Sequence, residues 1–143
     1  MTTDQNKATA RRFVEEGINK NNWAVITEIQ DAKFVEHQPT PTGYPKGVEG
    51  FKQYLTAFRT AFPDLRYTIE DEIAEGDKVV QRVTGQGTMK GSFAGMPATG
   101  KHAAWSEIHI SRFTNGKVVE HWADVDQASM LRQLGLAPTP TAA

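Results

Sequence analysis

Residues 105–126, WSEIHISRFTNGKVVEHWADVD, decide the fold of this 143-residue chain. Asn115-Gly116 separates two runs rich in β-branched and aromatic residues. This dipeptide is the strongest short signal for a two-residue hairpin turn, because both central positions of a type I′ turn need φ > 0. The stretch therefore predicts a long antiparallel hairpin, in which His109 lies opposite Trp122.

The predicted register divides the hairpin side chains between two faces, because cross-strand partners share a face and side chains alternate along each strand. One face mixes aromatic, imidazole and acidic groups: Trp105, Glu107, His109, Ser111, Glu120, Trp122, Asp124 and Asp126. The other is mainly apolar, with Ile108, Ile110, Val119, Ala123 and Val125 beside Ser106, Arg112 and His121. The first set is too polar for a core and too aromatic for a plain surface, so it predicts a pocket wall.

Two alternatives to that interpretation follow from the same pattern. A three-residue loop or a β-bulge would shift the register and separate His109 from Asp124. The mixed face could also be exposed to solvent or to a second subunit.

Hydrophobic periodicity predicts the remaining elements. Thr2-x-x-Gln5 is a capping box that opens a helix over 3–20, and a short helix follows over 23–29. The clearest amphipathic helix spans 48–62, with Phe51, Leu55, Phe58 and Phe62 on its buried face. Strands are predicted over 65–73, 79–89, 101–113 and 117–125 in one antiparallel sheet, followed by a helix from Asp126 to Leu134. This order indicates an α+β fold whose helices cover one side of a curved sheet.

Two segments are expected to be irregular, and two glycines are expected at a bend or a close approach. Residues 34–39 read as extended chain that runs into a loop rich in proline and glycine, and residues 91–100 as a second loop. Gly85 and Gly87 thin the far end of the strand 79–89 and predict a bend or a close approach there.

Length and composition predict a single domain over residues 1–136, with a disordered tail over 137–143. The net charge of −1 and the lack of a basic run give no sign of nucleic-acid binding. The absence of cysteine excludes disulfides and thiolate metal sites. The sequence shows no signal peptide and no membrane-spanning run, so we expect a cytoplasmic protein that does not bind membranes.

General acid–base chemistry fits the candidate residues best. The four histidines have no metal-binding spacing, so no metal is expected, and no nucleophile elbow or phosphate-binding loop is present. Glu107, His109 and Asp124 could transfer protons on one wall, between the apolar rings of Trp105 and Trp122. His37, which precedes the proline-rich loop, could close the mouth of the pocket. Asp126 is interpreted first as a helix cap.

Several segments in order resemble the SnoaL-like polyketide cyclase family: FVEHQP at 34–39, AFPDLRYTIEDEIAEGDKVVQRVTGQGT at 61–88, GSFAGMPATGK at 91–101 and RFTNGKVVEHWADVDQASMLRQLG at 112–135. The resemblance covers about residues 8–135. It implies the ketosteroid-isomerase-like fold, a cone-like half-barrel in which N-terminal helices and a strongly curved sheet enclose an apolar pocket, commonly in a homodimer.

The resemblance also implies a mechanism and site residues. A late-sheet Asp serves as general acid/base for an intramolecular aldol closure, without metal or organic cofactor. Asp124 is its nearest counterpart, Asp126 is the rival, and relatives also commonly carry an acid where this chain has Ala123. Glu107 and His109 match the polar pair of the preceding strand, and Phe13 falls where the first helix faces the cavity.

Three functional hypotheses follow. The first is a cofactor-independent cyclase or isomerase that acts on a small, apolar carbonyl compound. The second is an epoxide hydrolase of the limonene-epoxide-hydrolase type, which would need Arg82 between Asp124 and another acid. The third is a non-catalytic domain that binds a small ligand, since a fold does not fix a function.

Overall fold

Asn115 and Gly116 form the turn that the sequence predicts. Their φ angles are 51° and 77°, as a two-residue turn of type I′ requires. Thr114 faces Lys117 across the turn. The structure is a computed structural model that describes residues 1–38 and 43–136.

The elements follow the predicted order. The helices are α1 (Thr3–Arg12), α2 (Trp23–Ile29), α3 (Gly47–Ala61) and α4 (Gln127–Leu134), and a π-helical segment (Phe13–Ile18) continues α1. The strands are β1 (Gln30–Glu36), β2 (Arg66–Glu75), β3 (Lys78–Thr88), β4 (His102–Thr114) and β5 (Lys117–Val125). The fold is therefore α+β, as predicted.

The sheet is mixed, and the prediction of a purely antiparallel sheet is wrong at one edge. Its five strands lie in the order β1-β5-β4-β3-β2, and the sheet does not close on itself. β2 to β5 pair antiparallel, whereas β1 pairs parallel to β5. The sequence suggested only extended chain from residue 34 onward. Its pairing with β5 joins residues about 85 positions apart, which local periodicity cannot reveal.

A β-bulge in β5 changes the predicted register. The pair Phe113–Val118 follows the prediction, but the next pair is Arg112 with Glu120, so Val119 is an extra residue. Because side chains alternate with period two, every β5 residue beyond the bulge lies on the face opposite to the predicted one. The bulge that the sequence left open as an alternative is thus present.

The core between α3 and the sheet is aromatic, as the periodicity of α3 predicts. Leu55, Phe58 and Phe62 are buried, and the ring of Phe58 lies 4.9 Å from that of Phe62. Phe51 is only half-buried and packs against Phe13, with 5.8 Å between ring centroids. Three of the four predicted core residues of this helix are therefore fully enclosed.

The predicted caps are present at both ends of the chain. The Thr2 hydroxyl accepts a hydrogen bond from the Gln5 N–H at 3.1 Å, and the Gln5 side chain accepts one from the Thr2 N–H at 2.8 Å. At α4 the Asp126 carboxylate accepts from the Ser129 N–H at 3.1 Å, and Gly135 ends the helix with φ of 76°.

Two stretches lie outside the described residues. One is 39–42, within the proline-rich loop, and the other is the tail 137–143, for which disorder was predicted. The division into one domain and a tail stays a prediction. Within 1–38 and 43–136, no helix is long and apolar enough to cross a membrane.

Candidate active site

A cavity of about 950 Å³ lies between the inner face of the sheet and the helical layer. Small-molecule sites typically measure about 300–1,000 Å³, so this cavity could hold a ligand of several rings. Phe13 from the π-helical segment, Tyr54 from α3 and Phe93 from the loop after β3 contribute aromatic lining. Phe13 lines the cavity, and its part in substrate binding stays a prediction.

The β4 residues of the predicted pocket wall line this cavity. Trp105, Glu107, His109 and Ser111 alternate along β4 and face inward. Trp105 and Glu107 are buried, with exposures of 3% and 5%. β4 alternates without interruption, so these four residues share one face of the sheet as the pattern predicts.

The β5 half of the predicted wall is wrong. His109 pairs with Ala123 instead of Trp122, and Asp124 pairs with Ile108 on the outer face. Asp124 is exposed, and the bulge at Val119 is the physical reason. Asp124 therefore does not stand beside His109.

Asp126 and Trp122 are also placed outside the wall. Asp126 caps α4 and is exposed. The Trp122 ring lies on the outer face, where the ring of His37 stacks on it at 4.7 Å. His37 borders the cavity, but its Nε2 lies 2.8 Å from the Glu120 carboxylate, on the outer face.

Four side chains on the cavity wall form a continuous series of contacts. Glu107 Oε1 lies 2.7 Å from His109 Nε2, and His109 Nδ1 lies 2.8 Å from His121 Nε2. His121 Nδ1 lies 2.7 Å from a carboxylate oxygen of Glu36. At the inner end, the Trp105 indole N–H donates to Glu107 Oε2 at 2.6 Å. All five residues line the cavity, and we call Glu107, His109, His121 and Glu36 the carboxylate–histidine chain.

His121 and Glu36 were missed by the sequence-based prediction. His121 faces inward only because of the bulge, and Glu36 reaches it because β1 pairs with β5 at these two residues. One local signal for Glu36 exists. In Phe34-Val35-Glu36 the first residue is buried and the second exposed, so alternation would have turned Glu36 inward.

Two tyrosines face the carboxylate–histidine chain from other elements. Burial and the nearby negative charge of Glu107 raise the pKa of Tyr67 on β2 well above its ordinary value. Burial and the charges of Glu107 and Glu36 raise the pKa of Tyr54 on α3 to about 12. Both phenols therefore stay protonated near neutral pH and can donate hydrogen bonds.

Gln30 offers an unused polar atom in the same cavity. Its side chain lines the cavity and is 5% exposed. Within the part of the chain that the structure describes, its Oε1 has no hydrogen-bond partner. A buried acceptor without a partner is unfavourable, so a donor group of a ligand would stabilise it.

Arg82 does not provide the set of groups that an epoxide hydrolase would need. Its guanidinium forms an ion pair with Asp71 at 2.7 Å, and both side chains are exposed. Its neighbour on the adjacent strand β4 is Ile108, which lies on the outer face of the sheet. Across residues 1–38 and 43–136, no cluster of three His, Asp or Glu side chains is arranged to hold a metal ion.

Comparisons with known proteins agree with this arrangement of elements. A model of the SnoaL-like polyketide cyclase family matches residues 8–134. The aklanonic acid methyl ester cyclase DnrD of Streptomyces peucetius is 33% identical over 108 residues, which are 75% of this chain and 71% of DnrD.

Two solved structures from Streptomyces are similar in fold and sequence. IdmH of Streptomyces antibioticus, a candidate polyketide cyclase, is 30% identical with a TM-score of 0.80, over 92% of this chain and 99% of IdmH. AclR of Streptomyces galilaeus, a candidate hydroxylase, is 27% identical with a TM-score of 0.83, over 96% of this chain and 100% of AclR.

Proposed function

Because this chain belongs to the SnoaL-like polyketide cyclase family, we propose that it closes a ring in a small, apolar carbonyl compound. The reaction is an intramolecular aldol-type closure, driven by general acid–base catalysis without metal or organic cofactor. The substrate binds in the cavity, which we interpret as the cone-like pocket of the fold. A polyketide-derived ester is the substrate class that the similarity to DnrD suggests.

The chemistry needs one base and one acid. The base breaks a C–H bond next to a carbonyl group, the resulting enolate carbon bonds to a second carbonyl carbon, and the oxygen there takes up a proton. Glu107, with His109 hydrogen-bonded to it, is the acid–base pair in this proposal. The pair lies beside the Trp105 ring in a poorly hydrated wall, where electrostatic interactions with developing charge are strong.

The single observation that carries the proposal is the carboxylate–histidine chain on the wall of an aromatic cavity. The acids that line it at Glu107 and Glu36 contact histidines, and an imidazole has one nitrogen that can donate a proton and one that can accept it. A permanent ion pair with Lys or Arg would have favoured a simple binding role. Gln30 adds an acceptor for a hydroxyl group of the substrate.

The test is conversion of aklanonic acid methyl ester, the compound in the name of DnrD, followed by mass spectrometry. Ring closure gives an isomer of unchanged mass, whereas a hydroxylase like AclR would add one oxygen atom. Glu107→Gln should lower turnover by roughly 100-fold or more, the usual effect of losing a general base. Asp124→Asn is the matched control and should turn over like the wild type, because Asp124 lies on the outer face.

The outcomes separate the hypotheses. An isomeric product that depends on Glu107 supports the cyclase. A product with added oxygen contradicts it. Tight binding of the ester without conversion favours the ligand-binding domain, and loss of activity in Asp124→Asn would contradict our placement of the acid–base groups.

A further inference from the structure

The carboxylate–histidine chain contains one more proton than two neutral imidazoles supply. It has three internal contacts, Glu107–His109, His109–His121 and His121–Glu36, at 2.7 to 2.8 Å. Each contact needs a proton between its two heavy atoms, because two facing lone pairs repel at this distance. Two neutral imidazoles bring two N–H protons, and carboxylates bring none. The third proton is therefore an additional one.

The histidines are internal links, and the carboxylates are ends. Both ring nitrogens of His109 and both of His121 are occupied by contacts within the chain. A carboxylate has two oxygens with about four lone-pair positions, so each acid keeps capacity for a further partner. Glu107 and Glu36 both line the cavity, and Glu36 is the more exposed, with 18% of its side chain accessible against 6% for Glu107.

The additional proton can sit at either end while all three contacts remain. With the proton on Glu36, each imidazole donates through Nε2, and Glu107 is an ionised carboxylate. With the proton on Glu107, each imidazole donates through Nδ1, and Glu36 is ionised. The proton can also sit on one imidazole, with both carboxylates ionised. When it sits at one end, that end is an acid and the other is a base.

We propose that Glu107, His109, His121 and Glu36 share one additional proton and act as a single acid–base unit with two reactive ends, Glu107 as the base and Glu36 as the acid. This inference rests on the proposed function for its chemistry, and it adds Glu36 as a second catalytic residue and His121 as a linking residue. It also provides separate groups for the two proton transfers of an aldol closure, which occur at different atoms of the substrate.

The proton flow balances over one turnover. Glu107 takes the proton of the broken C–H bond, and the new C–C bond forms. Glu36 gives its proton to the alkoxide oxygen, which becomes a hydroxyl group. Glu107 then holds one proton more and Glu36 one proton fewer. Before the next turnover Glu107 releases a proton to solvent and Glu36 takes one up, so the total proton count of the unit is unchanged.

Glu36→Gln is the discriminating variant. An amide has nearly the shape of a carboxyl group and brings its own N–H, so it can donate to His121 Nδ1. Two N–H protons then satisfy the remaining contacts, and the additional proton is no longer needed. Glu120→Gln is the matched control, because Glu120 contacts His37 at 2.8 Å on the outer face of the same sheet.

The first measurement counts protons without any substrate. ¹⁵N-labelled histidine and ¹³C-labelled glutamate report by NMR which ring nitrogens and carboxyl groups are protonated. We expect three protons on the unit in wild type and in Glu120→Gln, and two in Glu36→Gln. A count of two in wild type, or three in both the wild type and Glu36→Gln, overturns the inference.

The second measurement compares turnover with aklanonic acid methyl ester. Glu36→Gln should reduce kcat as much as Glu107→Gln, roughly 100-fold, with little change in KM. The double variant should be no slower than either single one, since groups that act as a unit are not additive. Wild-type kcat in Glu36→Gln, or additive losses, overturns the inference. If neither wild type nor variants close a ring but the proton counts are as expected, the proposed function fails and the shared proton stands.

Discussion

At the residue scale, the orientation of Glu107 depends on Trp105, and Trp105 depends on a glycine. Gly85 pairs with Trp105 across β3 and β4, and a Cβ at position 85 would lie 2.8 Å from the indole ring. The sequence predicted a bend or a close approach at the end of the strand that carries Gly85 and Gly87. The group that approaches is the ring whose N–H donates to Glu107.

We therefore expect Gly85→Ala to disturb both stability and turnover. The added methyl group pushes the Trp105 ring away from its position, which should cost about 1–3 kcal/mol in the free energy of unfolding and weaken the hydrogen bond to Glu107. Denaturant unfolding followed by tryptophan fluorescence measures the first effect, and ring closure measures the second. Ser106→Ala, on the exposed neighbour of Trp105, is the control. An unchanged denaturation midpoint in Gly85→Ala would show that the Trp105 ring can move aside without cost.

The sequence predicted the residues that β4 contributes to the candidate site and missed those from β5 and β1. Trp105, Glu107 and His109 belong to one strand that alternates without interruption, so local patterning suffices for them. His121 and Glu36 depend on a bulge and on a parallel pairing with a strand far away in the sequence. Patterning within a short window contains neither.

At the scale of elements, α3 is the helix that ties the helical layer to the sheet. Phe58 is 6% exposed, and its ring lies 5.0 Å from that of Phe93 and 6.1 Å from that of Trp105. We expect Phe58→Ala to cost about 3–5 kcal/mol, as truncation of large aromatic side chains in cores does. Thr56→Ala on the exposed side of the helix should change the free energy of unfolding by no more than about 0.5 kcal/mol. Equal effects of the two changes in chemical denaturation would contradict the buried position of Phe58.

The connection from α3 to β2 carries a pH-sensitive contact. The Asp64 carboxylate accepts hydrogen bonds from the Thr88 N–H at 2.7 Å and the Thr88 hydroxyl at 2.8 Å. These bonds, the backbone bond foremost, lower the pKa of Asp64 below its ordinary value of 3.8.

The lowered pKa of Asp64 predicts how the free energy of unfolding changes with pH. The ionised form is favoured in the folded state, so the stabilisation is present above the unfolded pKa and is lost as the pH falls through the folded pKa. We expect Asp64→Asn to be less stable than wild type at pH 7, and the gap to narrow below about pH 4. Urea unfolding of both proteins between pH 7 and pH 3 measures this gap. A constant gap over that range would refute the link to ionisation.

At the scale of the whole molecule, the outer face of the sheet presents apolar side chains. Ile73 is 65% exposed and Ile108 is 47% exposed. We propose that this face joins two copies of the chain in the homodimer that the family resemblance implies. Large exposed apolar groups on a sheet face are typical of interaction surfaces.

The variant Ile108→Lys tests the dimer. A buried, unpaired charge at an interface is strongly unfavourable, so we expect the variant to be a monomer at concentrations where wild type is a dimer. Light scattering coupled to size-exclusion chromatography gives the mass directly. Lys117→Ala, at the exposed hairpin turn, should leave the mass unchanged. A monomeric wild-type protein would refute the proposal.

The extra residue Val119 also indicates how a pocket of this kind can change during evolution. A single inserted codon shifts the rest of β5 by one side-chain position, so one event replaces Trp122 and Asp124 at the cavity wall with His121 and Val125. Point substitutions would need several steps to make the same exchange. Insertion or deletion at a hairpin is therefore an evolutionary route by which a descendant could trade one catalytic set for another while its fold persists.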